Sequence, residues 1–399
     1  ILNLKLLKNY SASKLKFNDA YEFIYEFVEH SNIHQTDKLS KDKLSKFNEK
    51  IGSPNHVGVG LRYIETSQQT NWLPEIIKKY LSSNGSIDFE ELLRSGDQNI
   101  DWFLKDYLGK RKSFDIKIRG LKKLNDSIRF SVISRDQRKI PVLIGLVKND
   151  KIIKEQWVTL DKSDTIITWE QKKADFVALN PNINFPEGIK SNNWRPINTP
   201  LGIKPLKFTL IKDSENLKRE QILFHPVFDF NIYDGITIGS KFYNKAILRK
   251  PFQYKITPMW ALKSTKLVGS GSVLYKKMPE FGNLYFYRVG FSGSYYSYDS
   301  DLFYKRFSPF ASVGFRDSKD LRNNKKHIIN IRNITVDRDK NPNVALESPN
   351  YSVFDINYVY SNPNLINYYR ASVDYQISAD FSKISTTLNY RKLFNNNRK

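Results

Sequence analysis

The sequence predicts a multidomain α + β protein: a helical region, a small β-sandwich and an incomplete antiparallel transmembrane β-barrel. Three observations predict this class. Apolar residues recur at helical spacing over the first hundred or so residues. Short alternating segments then follow at regular intervals over about 70 residues. Finally, about nine longer segments alternate apolar and polar residues, which is typical of a membrane barrel. We place the four regions at 1–110 (helices), 111–180 (sandwich), 181–221 (linker) and 222–399 (partial barrel).

The helical region shows both periodicity and helix-end signals. Apolar residues of Phe17–Val28 fall on one helical face. Asp88 is a candidate N-cap because its carboxylate can accept from the exposed amides of a first helical turn. Asn84 with Gly85, and Gly109, are candidate helix ends, since such residues tolerate the left-handed conformation. Further helices are expected at residues 38–47, 57–64, 73–81, 88–93 and 99–108.

Two groups of strands are expected after the helices. The short strands of the sandwich are expected at residues 114–118, 127–133, 142–147, 152–160, 165–169 and 176–179. The stretch from Asn180 to Gln221 is rich in Pro, Asn and Gly and is expected to be a linker. The long strands are expected at residues 233–243, 252–260, 268–275, 283–296, 302–316, 327–336, 353–360, 368–381 and 384–393.

The stretch Ala371–Phe381 shows the alternation most clearly, since its odd positions are apolar and its even positions are polar. Three features favour a membrane: long strands, tyrosines near strand ends, and a second face of small polar residues. Unequal connections suggest tight turns on one side and longer loops on the other. A soluble β-sandwich or solenoid stays open as an alternative, because alternation alone does not distinguish lipid from a protein core.

Composition limits the classes of partner. The formal charge is +23, but the basic residues are spread along the chain and form no nucleic-acid-binding signature. We therefore expect contact with lipid phosphates and no nucleic-acid partner. The chain has no cysteine, which excludes disulfides and thiol catalysis within it. It has no run of 18 apolar residues for a transmembrane helix. Because it lacks an initial methionine and its last segment predicts an unpaired strand, we expect a fragment.

The order of these regions resembles a known family. The segments Val57–Ile64, Leu73–Leu81, Asp88–Leu93 and Ile100–Tyr107 resemble the last helices of aminopeptidase-N-type gluzincins, which are zinc metallopeptidases; Trp102-Phe103 matches a recurrent step there. A β-sandwich follows in that family. Phe228–Gly239 resembles the opening strand of an outer-membrane barrel fused to such peptidases in some Gram-negative bacteria. The resemblance implies an outer-membrane location, lipid contact, zinc and a peptide or protein substrate in the full-length protein.

The family's chemistry needs His-Glu-x-x-His and a further Glu, which together bind zinc and supply a general base. This chain has no such motif. His30 and His34 have the right spacing, but Ser31 stands where the base is needed. Asn55 occupies the position of the family's transition-state-stabilising tyrosine. We therefore assign no catalytic, cofactor-binding or metal-binding residue. We expect the zinc motif upstream of Ile1, with a degenerate peptidase as the alternative. We expect this fragment to bind no zinc and to be inactive alone.

The remaining candidates receive structural interpretations, since lone histidines in strands and carboxylates on a helix surface rarely form catalytic sites. They are His225, His327, Glu90 with Glu91, Asp97 with Asp101, Gly58 with Gly60, and Gly269 with Gly271. Three functions stay open, and a soluble, DNA-binding basic protein is the last of them. The first is the C-terminal part of an outer-membrane-anchored, aminopeptidase-like zinc metallopeptidase. The second is a non-enzymatic outer-membrane barrel that acts in assembly, anchoring or transport.

Overall fold

The computed structural model consists mostly of β-strands and divides into two compact units. The N-terminal unit comprises Ile1–Lys207 and Glu215–Glu220, and the C-terminal unit comprises Phe208–Ser214 and Gln221–Lys399. The structure describes residues 44–68, 72–84, 86–95, 100–110, 114–134, 139–160, 164–170, 173–183, 185, 187–199, 202–248, 250–279, 282–317, 325–341, 350–363 and 367–394, together with 24, 26–28, 35, 39 and 40.

The described helices lie in the N-terminal unit. They are α1 (Ser53–Gln68), α2 (Trp72–Ser82) and α3 (Phe89–Arg94), with π-helical segments at Asn48–Gly52 and Trp102–Lys110. The helices expected at 57–64, 73–81 and 88–93 are thereby confirmed. The helix expected at 99–108 is π-helical and continues past Gly109, so that helix end is wrong. The helices expected at Phe17–Val28 and 38–47 each lie partly outside the described residues. No described helix is long and apolar enough to cross a membrane.

The N-cap prediction for α3 is confirmed in detail. Asp88 has extended backbone angles, φ −69° and ψ 130°, and its side chain accepts a hydrogen bond from the Glu90 amide at 3.0 Å. This bond satisfies one of the amides that a first helical turn leaves without a partner. Asn84 has φ 49°, which is the left-handed conformation expected just after α2.

Two small antiparallel sheets follow the helices. Their strands are β1 (Ile116–Leu124), β2 (Ser127–Ser134), β3 (Pro141–Lys148), β4 (Lys151–Thr159), β5 (Thr165–Glu170), β6 (Phe176–Leu179) and β7 (Trp194–Pro196). One sheet has the order β1-β2-β5 and the other has the order β4-β3-β6-β7. All six strands expected for this region are confirmed. Both sheets share one hydrophobic core with the helices, including Tyr63, Phe103, Phe130 and Ile144.

Buried polar groups link the parts of this core. The Tyr63 hydroxyl donates to the Pro141 carbonyl at 2.6 Å and lies 3.1 Å from Oδ1 of Asn180. That amide oxygen also accepts from the Leu143 N–H at 3.0 Å. Burial of the Tyr63 phenol raises its pKa well above the usual value, so the group stays a neutral donor. A tyrosine in α1 thus fixes the helix against β3 and the turn after β6.

The region 181–221 does not form the expected linker. It contains a 3₁₀-helix (Lys190–Asn193) and strand β7, which pairs with β6 in the four-stranded sheet. It also contains β8 (Leu206–Leu210), an edge strand of the large sheet. Among the residues that suggested a linker, Asn192 and Asn193 lie in the 3₁₀-helix and Pro196 lies in β7.

The C-terminal unit is built on one antiparallel sheet of eleven strands, ordered β18 to β8 in strict sequence order. Besides β8 its strands are β9 (Glu220–Asn231), β10 (Gly235–Tyr243), β11 (Phe252–Ala261), β12 (Leu267–Lys277), β13 (Leu284–Asp299), β14 (Leu302–Arg316), β15 (Lys326–Arg338), β16 (Tyr351–Pro363), β17 (Asn367–Ile377) and β18 (Ser382–Lys392). The nine expected strands are confirmed, and β8 and β9 are additional. The sheet is not closed into a barrel, since β8 and β18 are its edges among the described residues.

The connections follow the expected sorting by length with two exceptions, 339–350 and 364–366. Successive antiparallel strands place alternate connections at opposite ends of a sheet. The longer connections after β14 (317–325) and after β15 (339–350) therefore lie at opposite ends. We call the end where β14 finishes the basic end, and the other end the turn end. The turn end contains the two-residue turn at Ser300 and Asp301.

Candidate functional site

The most distinctive feature of the C-terminal unit is a continuous apolar row on one face of the large sheet. Direct cross-strand partners share a face of a sheet, and eight successive partners here are apolar. Their side chains are substantially exposed at several positions: 53% at Val289, 39% at Ile331 and 70% at Ile384. The apolar row, from β11 to β18, is Phe252, Tyr275, Val289, Ala311, Ile331, Ile356, Tyr375 and Ile384.

The same apolar face continues over the first strands of the sheet. Phe228 of β9 pairs with Ile238 of β10, which pairs with Trp260 of β11, which pairs with Leu267 of β12. The side chains of Phe228 and Leu267 are 68% and 61% exposed. Soluble monomers rarely expose a contiguous apolar patch of more than a few hundred Å². An apolar surface that extends over so many strands therefore needs an apolar environment or a partner.

The opposite face of the sheet carries a polar row. Each of its members is the sequence neighbour of a residue of the apolar row. It runs from β12 to β18 through Lys276, Arg288, Ser312, Asn330, Asn357, Asp374 and Ser385. Three hydrogen bonds connect its centre: Ser312 Oγ donates to Asn330 Oδ1 at 2.6 Å, Asn330 Nδ2 donates to Asn357 Oδ1 at 3.1 Å, and Asn357 Nδ2 donates to Asp374 Oδ2 at 3.4 Å. Beside this row, Arg332 donates to Asp355 at 2.8 Å.

Burial on the two faces is the reverse of that in a soluble sheet. On the polar face, Ser308, Ser312 and Asp355 are only 2%, 5% and 7% exposed. On the apolar face, the large side chains listed above are exposed. In a soluble protein the apolar face packs on a core and the polar face meets water. The arrangement found here suits a wall with water and polar groups on one side and hydrocarbon on the other.

The turn end is fixed by one buried carboxylate. Asp234 is fully buried in the turn between β9 and β10. It accepts from the Ser297 N–H at 3.1 Å, the Ser297 hydroxyl at 2.5 Å and the Ser264 hydroxyl at 2.8 Å. These contacts join three segments that are distant in sequence, so Asp234 serves as a structural hub for the turns.

Both strand histidines make contacts that give them structural roles. His327 Nδ1 lies 2.7 Å from the Tyr358 hydroxyl, and its Nε2 lies 2.7 Å from Asp317 Oδ1. His225 lies against the ring of Tyr243, with centroids 5.6 Å apart.

Among the described members of the acidic pairs, Glu90 and Asp101 are paired with basic side chains. Arg94 donates to Asp101 at 2.8 Å and to Glu90 at 3.1 Å, and Lys105 donates to Asp101 at 3.0 Å. The Arg94 guanidinium lowers the pKa of the Asp101 carboxyl, so this group stays ionised. Glu91 is exposed, and Asp97 lies outside the described residues.

The glycine pairs also have structural roles where their surroundings are tight. A Cβ at Gly60 would lie 2.4 Å from Tyr107 Cε1, whereas a Cβ at Gly58 would meet nothing within 4 Å. Gly269 has φ +147°, and a Cβ there would lie 2.1 Å from the Thr257 carbonyl oxygen. Gly60 thus allows close packing of α1, and Gly269 allows close approach of β12 to β11.

The residues that the resemblance brought into focus do not assemble a catalytic site among the described residues. Asn55 donates from Nδ2 to the Ile51 carbonyl at 2.6 Å, which is a local backbone contact. His30, Ser31 and His34 lie outside the described residues. Within the part of the chain that the structure describes, no group of three or more His, Cys, Asp or Glu side chains is placed to hold a metal ion.

No protein-family model, curated protein or solved structure matches this chain. The resemblance to gluzincins fused to an outer-membrane barrel therefore stays a prediction. Sequence reasoning anticipated the two faces of the large sheet but missed the polar row and the Arg332–Asp355 pair. Alternation signalled that these side chains share a face. Which of them meet depends on strand register, and the sequence pattern left the register open.

Proposed function

We propose that the eleven-stranded sheet is the membrane-embedded wall of an outer-membrane β-barrel, and that it anchors the N-terminal unit at the membrane. The observation that carries this proposal is the reversal of burial between the apolar and polar rows. Lipid hydrocarbon can cover the apolar row without a protein partner. The hydrogen-bonded polar row then faces the interior of the barrel, where water and neighbouring side chains satisfy it.

Strand length and backbone hydrogen bonding support the same proposal. A tilted transmembrane strand needs about 9–11 residues, and β10 to β18 each have between 9 and 16 residues. Every strand from β9 to β17 pairs on both sides, so its backbone groups are satisfied within the sheet. In hydrocarbon, each unsatisfied backbone group costs several kcal/mol. We propose that further pairing at β8 and β18 closes the wall.

Tryptophan fluorescence offers a direct test, because Trp260 is the one tryptophan of the C-terminal unit. It lies on the apolar face with 50% of its surface exposed. Four of the other five tryptophans are buried in the N-terminal unit: Trp72, Trp102, Trp169 and Trp194. The full chain is reconstituted into vesicles whose phosphatidylcholine carries bromine near the headgroup end of the acyl chains. We expect these lipids to quench a substantial part of the fluorescence relative to unbrominated lipids.

The matched control is Trp260→Phe, which keeps an aromatic residue on the apolar face and removes the reporter. We expect the bromine-dependent quenching to disappear in this variant. Equal quenching in the two proteins would place the lipid contact elsewhere and would overturn the proposal. Absence of quenching in the unmodified chain, when the vesicles carry the protein, would overturn it as well. A soluble β-sandwich, in which a second layer covers the apolar face, predicts this last result.

The second candidate adds an activity to the anchor. The resemblance implies an aminopeptidase-like zinc metallopeptidase whose zinc motif belongs to a part of the protein outside these 399 residues. The order of the regions favours it, since the helices that carry the resemblance precede two small sheets and share their core. In this proposal the partners are outer-membrane lipid and a peptide or protein substrate, with no nucleic acid. Stoichiometric zinc in the full-length protein would support the peptidase, and a metal-free, inactive full-length protein would leave the barrel alone as the function.

A further inference from the structure

A row of cations lies near the basic end of the large sheet, on its polar face. Arg316 of β14 is the direct partner of Lys326 of β15, which is the partner of Ser361 of β16, which is the partner of Arg370 of β17. We call these four residues the basic row. It lies four positions along the strands from the polar row. Like charges directly opposite each other destabilise a pair of strands, so the Arg316–Lys326 pair needs a compensating interaction.

Arg316 is the most unusual member of the basic row. Its side chain is buried, with the residue only 6% exposed, and its Nε atom has no hydrogen-bond partner. The guanidinium carbon lies 5.7 Å from the centroid of the Tyr285 ring, and Lys326 Nζ lies 4.4 Å from the same centroid. Two cations thus share one aromatic ring. A buried donor without a partner is destabilising, and more strongly so when it belongs to a charged group.

No described carboxylate neutralises this cluster. None of Arg316, Lys326 and Arg370 forms an ion pair with another described residue. The acid nearest in sequence is Asp317, which follows Arg316 and binds His327 at 2.7 Å. His327 is the direct partner of Phe315 on the apolar face. The Asp317 contact therefore belongs to the other face of the sheet, and the basic row keeps its positive charge.

We propose that the basic row is a binding site for a phosphate-type oxyanion. An arginine fork and a lysine ammonium are the side chains that proteins use for phosphate groups, the first by directed N–H bonds and the second as a point charge. Arg316 supplies a buried donor that still needs an acceptor, Lys326 supplies a second charge beside it, and Tyr285 forms an aromatic wall. The ligand is either free phosphate or the phosphate of a lipid headgroup. Its binding involves no covalent step and therefore needs no general base or metal.

Isothermal titration of the full chain in detergent with inorganic phosphate tests the site. Loss of one charge-assisted hydrogen bond weakens binding by roughly tenfold or more. We expect such a loss for Arg316→Gln and also for Lys326→Gln, which removes the charge of a less buried residue. Lys383→Gln is the matched control. Lys383 is exposed on the same face of β18, six positions from Asn389, the partner of Arg370. We expect the phosphate affinity of Lys383→Gln to stay within about twofold of that of the unmodified chain.

Competition experiments separate the two sources of phosphate. Micelles that contain phosphatidylglycerol are added to the complex with inorganic phosphate, with phosphatidylcholine micelles as the reference. Selective competition by phosphatidylglycerol identifies a lipid headgroup, and absence of competition identifies a free anion. Failure of the unmodified chain to bind either form overturns the site. Equal phosphate affinity of Lys326→Gln and the unmodified chain also overturns the site. This comparison is sufficient by itself if Arg316→Gln does not fold. The site rests on strand register and burial, so the bromine-quenching experiment can fail while this one succeeds.

Discussion

A lysine at the middle of β17 tests the environment of the apolar face most sharply. Val373 lies near the centre of Asn367–Ile377, is 45% exposed, and pairs directly with Tyr358 and Thr386. In water, a substitution at such an exposed position changes the free energy of unfolding by about 0.5 kcal/mol or less. On the lipid face at the midplane of a bilayer, lysine costs about 2–4 kcal/mol. The two environments therefore predict effects that differ severalfold for one substitution.

The matched control is Ser372→Lys, one residue earlier in the same strand. Ser372 has the same depth but faces the polar side, where it pairs with Val359 and Thr387. We expect Val373→Lys to lower the unfolding free energy in phosphatidylcholine vesicles by about 2–4 kcal/mol, which changes the folding equilibrium roughly 30- to 1,000-fold. We expect Ser372→Lys to lower it by less than about 1 kcal/mol, because its charge can reach water.

Urea titration of vesicle-inserted protein measures both variants, with the heat-modifiable mobility of the folded sheet in electrophoresis as the readout. The slope of the unfolding free energy against urea concentration must be the same in all variants for the free energies to be compared. Equal shifts for the two lysines would refute the assignment of the faces. A shift below about 0.5 kcal/mol for Val373→Lys in vesicles would refute lipid contact at this position, because it is the value expected in water.

Three further predictions concern buried groups, each measured by thermal or urea unfolding of the full chain. Gly60→Ala should destabilise the N-terminal unit by about 1–3 kcal/mol through overpacking. Gly58→Ala, where the added methyl group meets open space, should be neutral or stabilising by up to about 1 kcal/mol. Equal effects of the two substitutions would contradict the packing argument. Burial raises the pKa of the Glu187 carboxyl well above its usual value, so stability present at low pH is lost as pH rises through the raised pKa. Glu187→Gln cannot ionise and should gain stability relative to the unmodified chain as pH rises from below the usual carboxyl pKa toward neutral pH, and a pH-independent difference would contradict this. Asp234→Ala removes the acceptor of both Ser297 donors and should cost about 2–4 kcal/mol, with Asp229→Ala as an exposed control.

Strand positions were predictable from the sequence wherever alternation continued without interruption. Leu302–Arg316 was expected with the bounds that the structure has, because its apolar and polar residues alternate between clear turns. β9 and β7 were not expected, and β7 has only three residues. The segment Trp102–Lys110 has helical periodicity, but periodicity over nine residues does not separate a π-helix from an α-helix.

The candidate sites were predictable only to the level of a face. Alternation placed Arg316 at the end of an expected strand, whereas Lys326 was expected in the connection that follows. A spread of basic residues was evident from composition. The meeting of Arg316 and Lys326 depends on the register between β14 and β15, which hydrogen bonds and packing of the whole sheet determine. A one-residue slip would pair Arg316 with Lys325 or His327 instead of Lys326. Burial of Asp234 and Glu187 likewise arises from contacts between distant segments, and no local signal in the sequence marks them.

The two proposals concern opposite faces of one sheet, and this separation makes their tests independent. Val373 reports only on the apolar face, and Arg316 reports only on the polar face near the basic end. Lipid contact without phosphate binding would make the wall a plain anchor, with the Arg316–Lys326 repulsion offset by the Tyr285 ring alone. Phosphate binding without lipid contact would make the sheet a soluble anion-binding surface whose apolar face needs a protein cover. If both hold, the polar face carries a selective positive site within a membrane wall, and that combination favours a role in handling anions over simple anchoring.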